Sequence, residues 1–242
     1  MSNGAAPPDT LVRRAIQAVS GHIRENGLRV GDTLPGEAWF AAELGVSRPV
    51  MREAFGALTA LHLVDVGNGR KPRVGALDGS VMAATLGHGV DTAQITVPEI
   101  WDVRRVIEAR TVALAAQRRT DEQADLIVAL AEAMAQDRDD LAARTRHDIA
   151  FHQAIADASH NALFRQIVAA FAPLMAVAVP AAWSTRVVES QQRLMIDRHR
   201  AVAHAIAARD PATAVSAMES HFDASVGDVL QALAEAETRP RH

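Results

Sequence analysis

The chain has 242 residues, 49% hydrophobic and 22% charged, with a formal net charge of −4. That composition suits one large or two ordinary folded domains, and it excludes both a disordered chain and a nucleic-acid binder that is basic throughout. Cysteine is absent, which excludes thiolate zinc ribbons, iron–sulfur clusters and disulfide frameworks and fits a cytoplasmic protein.

The first ten residues, MSNGAAPPDT, lack a basic region followed by an apolar one, so no secretory signal is expected. No uninterrupted apolar run of membrane-spanning length is expected either. DTLVRRAIQAVSGHIREN reads as a helix with Leu11, Ile16, Val19 and Ile23 on one stripe, Asp9 or Thr10 as its cap, and Gly27 and Gly31 after it. PGEAWFAAEL reads as a second helix with Pro35 in its first turn and Gly45 at its end. GVS is then a three-residue turn, and Ser47 caps a third helix, RPVMREAFGALTALH. LVDVGNGRKPRVGAL supplies a short strand at 63–66, a Gly/Asn tip and a second strand near 73–76. Helix, helix, tight turn, helix and hairpin in that order predict a winged helix-turn-helix over residues 1–75.

Residues 76–97 are glycine-rich and read as a linker with one short helix at 79–86. Residues 98–242 are Ala-, Arg- and Glu/Asp-rich, and read as helices only: 98–117, 120–136, 138–158, 161–179, 184–208 and 211–236. The breaks fall at Thr120-Asp121, at SHN, across Pro173 to Pro180 and at RDP. Short connections predict antiparallel neighbours. The expected fold is mostly α, with a small β-hairpin wing in front and an all-α antiparallel bundle behind.

In a helix-turn-helix the second helix enters the major groove, with its N-terminal residues near base edges. Here those residues are Ser47, Arg48, Val50, Met51 and Arg52. Arg48 and Arg52 share a face and can bond guanine edges or anchor phosphates. The hairpin adds Arg70, Lys71 and Arg73 beside Gly67 and Gly69. Between residues 45 and 75, five basic residues face Glu53 and Asp65, a local balance of +3 in a chain of net −4. That asymmetry marks a DNA-facing patch.

The bundle carries a second constellation. Asp148, His152 and Ile155 follow i, i+4, i+7, the stripe expected to be buried. His199 lies between Met195 and Val202, and His221 follows Met218 and Ala214, by the same inward logic. One Asp and three His thus project from three helices toward a common interior. A buried carboxylate and imidazoles need a partner, and a divalent cation supplies one: zinc first, with nickel or manganese as alternatives. His147, His160 and His204 sit off the stripe or at a helix end, and His22, His62, His88 and His242 lie elsewhere.

Two resemblances bear on both readings. The segment 30–74, with Gly31-Asp32, Leu34-Pro35, Leu44-Gly45-Val46-Ser47-Arg48, Arg52-Glu53-Ala54 and Leu63-Val64, resembles the N-terminal domain of the GntR family of bacterial transcription regulators. The resemblance implies that Arg48 and Arg52 contact operator DNA and that Gly69 lies at the wing tip. It also implies an arginine where this chain has Ala38 or Trp39, and a second wing glycine where it has Lys71. The stretches DVRRVIEARTVALAA, HDIAFHQAIADASHNALF, DRHRAVAHAIAARDPATA and AMESHF resemble the FCD ligand-binding domain of the fatty-acid-regulator-like (FadR) branch. That resemblance implies a metal held by Asp148, His152, His199 and His221 at the floor of a pocket for small organic acids. It implies effector contacts from Arg104 and Asn161, with His160 standing where the family usually has glycine.

Three readings follow: a ligand-responsive regulator, a metal-dependent hydrolase fused to a DNA-binding head, and a regulator that senses the metal itself. HExxH, a Gly-rich phosphate loop and a Ser/His/Asp set with local support are all absent from the sequence pattern, which weighs against the enzyme. Glu108, four residues after Arg104, reads as a structural salt bridge. The first reading is preferred: a cytoplasmic homodimeric repressor, binding double-stranded operator DNA and released by a small carboxylate.

Overall fold

The computed structural model describes residues 8–67, 69–137, 140–186 and 188–238. Asn68 of the expected wing tip, the expected helix start at 138 and His242 lie outside the described residues. The chain divides into two compact units, Met1–Val81 and Met82–His242.

The first unit is built from α1 (Pro8–Glu25), α2 (Glu37–Leu44), α3 (Arg48–Ala60), β1 (Val64–Asp65) and β2 (Arg73–Val74). Val12, Ala15 and Val19 of α1, Phe40 of α2, and Met51, Ala54, Phe55 and Leu58 of α3 form its core. The stripe of α1 is therefore centred on Val12 and Ala15; Ile16 and Ile23 flank it, half-buried. Gly45 ends α2 at φ 65°, ψ 34°, the left-handed cap position that glycine takes without strain. Pro35 precedes the helix it was expected to open: Gly36 occupies the N-cap position and α2 begins at Glu37.

β1 and β2 pair antiparallel, Val64 opposite Val74 and Asp65 opposite Arg73. The segment before α2, expected as a plain turn-bearing connection, joins this ladder. Thr33 bridges to Arg73, the Val74 N–H donates to the Asp32 carbonyl (2.9 Å), and the Leu34 N–H donates to the Pro72 carbonyl (2.8 Å). Pro72 has no N–H to give, so its carbonyl does the pairing.

α4 (Ser80–Asp91) starts in the last two residues of the first unit and occupies most of the expected linker, longer than the predicted 79–86. Leu86 and Val90, with Ile95 and Val97 after them, pack on the bundle core, so this stretch belongs to the bundle's structure. The bundle proper is α5 (Val97–Arg118), α6 (Asp121–Gln136), α7 (Leu141–Ala158), α8 (Ala162–Ser184), α9 (Glu189–Ala207) and α10 (Pro211–Thr238). Local chemistry sets most of the starts. Thr96 with Glu99 and Thr120 with Gln123 form capping boxes, and Asp140, Asn161 and Asp210 accept N–H bonds at the heads of α7, α8 and α10.

The predicted break across Pro173 to Pro180 does not occur: both prolines lie inside α8. Each removes one helix hydrogen bond, at a cost of about 3 kcal/mol. Packing offsets this, because Phe171, Met175, Val179, Ala182 and Trp183 form one continuous buried face. α8 is also long and apolar enough, by length and composition, to cross a membrane, with 28% of the apolar window buried. The expectation that no stretch reaches that length is corrected on this point. Here the helix contributes one face to the bundle core.

Candidate functional site

In the first unit, α3 presents Ser47, Arg48 and Arg52 to solvent. Ser47 has the extended backbone of an N-cap (φ −74°, ψ 153°), but its hydroxyl makes no cap bond. Met51 must be removed from the DNA-facing set. It is 0% exposed, within the core with Ala54, Phe55 and Leu58, so it holds α3 in place and cannot reach a base edge. Val50 is half-buried against the same core.

At the hairpin, Gly69 (φ 72°), Arg70, Lys71 and Arg73 are exposed. Arg70 is gripped by both carboxylate oxygens of Asp65, each at 2.8 Å, and Arg73 donates to the Gly31 carbonyl at 3.1 Å. Both arginines thus shape the wing. Ala38 and Trp39 are exposed on α2; Trp39 packs edge-on against His22 (5.4 Å) and Phe40 (4.9 Å).

The bundle brings Asp148, His152, His199 and His221 together from α7, α9 and α10, all buried. One ring nitrogen from each histidine lies within 4.8 Å of the others. The proton positions follow from the partners. His199 Nδ1 is 2.9 Å from the Met195 carbonyl, which only accepts, so Nδ1 carries a proton. In a neutral ring Nε2 is then a lone pair, yet it lies 3.0 Å from Asp148 Oδ1, also an acceptor. A protonated ring satisfies both contacts, and so does a cation shared by Nε2 and Oδ1.

His152 Nδ1 bonds to Glu108 Oε2, which turns its Nε2 away from that carboxylate. Among the described residues, the buried His221 Nδ1 has no hydrogen-bond partner. Burial, reinforced by the neighbouring His199 and His152, pulls the His221 imidazole well below its usual range and keeps it neutral. For Asp148 burial acts upward, but the bond from His199 and the three imidazoles outweigh it and hold the carboxyl well below the usual carboxylate range. An ionised carboxylate and a neutral imidazole, its Nδ1 without a hydrogen bond among the described residues, are the forms in which these groups bind cations. The donor set fits a first-row divalent cation, and 3.0 Å suits two neighbouring donors each about 2.1 Å from one ion.

Sequence reasoning undervalued Glu108. It is 2% exposed; Oε1 accepts from Arg104 Nε (2.8 Å) and Oε2 takes the bond from His152. Burial pushes its carboxyl up, but the Arg104 guanidinium and then His152 pull it below normal. Glu108 therefore couples Arg104 to a candidate ligand, fixing that ring's tautomer. Arg104 itself is buried, bonds the Met175 sulfur and lies near the rings of Trp101, Phe222 and Phe171 (5.2, 5.4 and 5.9 Å).

Arg104, Asp148, His152, His199 and His221 line a depression of ≈ 370 Å³, mouth included, that encloses a cavity of ≈ 30 Å³. That is room for an ion or one or two waters. Trp183 and Arg186, at the end of α8 and just beyond it, also line it. Arg186 escaped sequence reasoning because the chain between α8 and α9 has no periodicity to follow, and Trp183 because the expected proline break ended that helix before it. Asn161 does not line it. Its Oδ1 accepts from the Leu163 and Phe164 N–H groups (3.0 and 3.3 Å), capping α8, so the effector contact implied by resemblance is a helix cap here.

The remaining histidines go elsewhere: His147 to Asp137 (2.8 Å), His160 to Gln123 (3.0 Å), and His204 to solvent. One arrangement was not foreseen. Ser80 Oγ is 3.5 Å from His62 Nε2, and Asp78 Oδ2 is 3.3 Å from His62 Nδ1. Its order is that of a hydrolase triad, but the His62 and Asp78 side chains are 41% and 57% exposed and Asp78 also caps the Ser80 N–H. It is a solvated turn at the head of α4.

Residues 99–224 match the FCD domain, and residues 11–74 match the family described as bacterial regulatory proteins, gntR family. The HTH-type transcriptional repressor NanR of Salmonella schwarzengrund is 30% identical over 223 residues, 90% of this chain and 84% of that protein. The chain belongs to the GntR family. The NanR repressor of Escherichia coli K12 is also 30% identical to this GntR-family chain, over 205 residues, covering 83% of it and 77% of the relative. A solved GntR protein from Streptococcus agalactiae shares the fold, with a TM-score of 0.64 at 24% identity, covering 88% of this chain and 97% of that one. The first unit is thus a GntR winged helix-turn-helix, and the second is an FCD bundle.

Proposed function

We propose that this GntR-family protein is a homodimeric transcriptional repressor whose grip on operator DNA is set by a small organic acid bound in the FCD bundle beside a divalent metal. The observation that carries the metal reading is the His199 contact, an imidazole whose protonated nitrogen faces the Met195 carbonyl while the other faces the Asp148 carboxylate. The metal would be held by Asp148, His152, His199 and His221; bound there, it would supply a Lewis-acidic seat for a carboxylate oxygen. Arg104 would meet the same carboxylate, with Glu108 holding the guanidinium in place. Repression is what the NanR relatives are named for, and the head carries the exposed Arg48 and Arg52 that major-groove binding needs.

On α3, Ser47, Arg48 and Arg52 would read the operator, with Val50 packing beneath them. Gly69, Arg70, Lys71 and Arg73 would track phosphates at the wing. The dimer reading rests on exposed apolar side chains of two bundle helices: Val103 and Val106 of α5 (53% and 71%), and Leu163 and Val177 of α8 (63% and 75%). A second copy would bury them and pair the heads on a pseudo-palindrome. The acid would shift the population between two bundle arrangements and, through residues 76–97, the spacing of the heads. Four buried donors suit a resident ion better than a sensed one, which places metal sensing second.

Fluorescence anisotropy tests this reading. Double-stranded DNA selected by the protein from a random pool is titrated with zinc-loaded protein at fixed salt, with and without a panel of carboxylic acids. The reading requires specific binding that at least one acid weakens. Specific binding that no acid alters would remove the effector, and binding without sequence preference would remove the operator.

A further inference from the structure

α5 gives the cavity a polar group that neither the metal reading nor Arg104 uses. Trp101 lines the cavity beside Arg104 and is 4% exposed. Among the described residues its buried indole N–H has no hydrogen-bond partner. An indole nitrogen only donates, and a buried donor left without an acceptor costs the desolvation of that group. In the wall of a cavity, such a donor is satisfied when a ligand brings the acceptor.

The acceptors about the cavity are engaged elsewhere. The Glu108 carboxylate is taken by Arg104 and His152, and Asp148 Oδ1 lies against His199. Ser225 Oγ donates to the His221 carbonyl on its own helix. Arg104 follows Trp101 by three residues on α5, its guanidinium carbon 5.2 Å from the indole centre, and a guanidinium has no acceptor. In an acid seated as proposed above, one carboxylate oxygen goes to the metal and the other to Arg104. The Trp101 N–H, within one helical turn of Arg104, then needs a further oxygen close to that carboxylate. A hydroxyl or keto oxygen accepts such a bond, and a methylene does not.

We infer that Trp101 is a specificity-determining residue, whose N–H donates to an uncharged oxygen on the carbon next to the effector's carboxylate. This rests on the reading of the bundle as an acid-binding site. Trp101 sorts acids of one length by that single oxygen, because an acid without it leaves the buried N–H unmade.

Calorimetry on the zinc-loaded full chain tests it with two matched pairs, lactate with propionate and α-hydroxyvalerate with valerate. In the wild type at least one hydroxy acid binds about tenfold or more tighter than its plain partner. Trp101→Phe keeps an aromatic ring and removes the N–H. It brings that ratio to within about twofold and leaves the plain acid's affinity unchanged. Equal affinities in the wild type overturn the inference and leave an acid effector in place. A ratio that survives Trp101→Phe overturns it equally, since the preference then comes from another contact of the hydroxyl. A plain acid that weakens as much as its hydroxy partner puts the N–H on the carboxylate itself, and overturns it too. If Trp101→Phe does not fold, the wild type with isotope-labelled tryptophan decides. The hydroxy acid, and not its partner, moves downfield an indole N–H resonance other than that of Trp39, which Trp39→Phe identifies; absence of that shift overturns the inference. Binding of no acid at all removes the acid-effector reading itself, and this inference with it.

Discussion

Glu108 joins Arg104 to His152. One carboxylate oxygen accepts from the arginine at 2.8 Å and the other bonds the imidazole, with all three side chains buried. Glu108→Ala leaves a buried guanidinium without its carboxylate, which costs about 3–5 kcal/mol. Glu108→Gln keeps the shape but weakens the hold on the His152 tautomer, and lowers zinc affinity by about 10–100-fold. Thermal denaturation separates the two effects: the alanine variant is destabilised in zinc-free buffer, and the glutamine variant chiefly loses the stabilisation that zinc adds.

Arg48 and Met51 are three residues apart on α3 and should behave oppositely. Arg48 is exposed and Met51 is fully buried. Arg48→Ala lowers specific DNA affinity by about tenfold or more, the worth of a good base contact, without moving the melting temperature. Met51→Ala destabilises the head by about 2–5 kcal/mol. Anisotropy and calorimetric melting on the two variants check both. A Met51→Ala protein with wild-type stability and selectively lost DNA binding would restore Met51 as a contact.

Asn161 is a cap. Asn161→Ala costs about 1 kcal/mol of stability through the two N–H groups it leaves at the head of α8. Acid affinity, measured by calorimetry, stays at the wild-type value. A loss of affinity without loss of stability would return Asn161 to the effector site.

Legibility tracked how local each signal was. Gly45 and the GVS turn made the head readable, because a left-handed cap and a tight turn need only neighbouring residues. Asp148 and His152 were readable because i, i+4 spacing fixes a shared helix face. Met51 turns inward because Met51, Phe55 and Leu58 share one i, i+4, i+7 stripe, a period that its place at the head of the recognition helix does not override. The pairing of residues 31–34 with Arg73 and Val74 was not visible, since it depends on segments some forty residues apart. Pro173 and Pro180 misled because a proline penalty is local while the packing that offsets it is not. Arg186 has no helical period around it, and only the folded chain places it with Arg104.

The exposed valines of α5 and α8 predict the dimer. Val106→Arg with Val177→Arg places charges on side chains that are 71% and 75% exposed in one copy. Sedimentation shows a dimer for the wild type and a monomer for the double variant, with the helical content of each chain unchanged. A double variant that sediments as a dimer would locate the interface elsewhere.

Metal analysis of the purified protein tests the central claim most directly. The account predicts about one divalent ion per chain in the wild type and none in the His152→Ala, His199→Ala double variant, since two of four ligands are gone. A folded double variant that retains stoichiometric metal would contradict it.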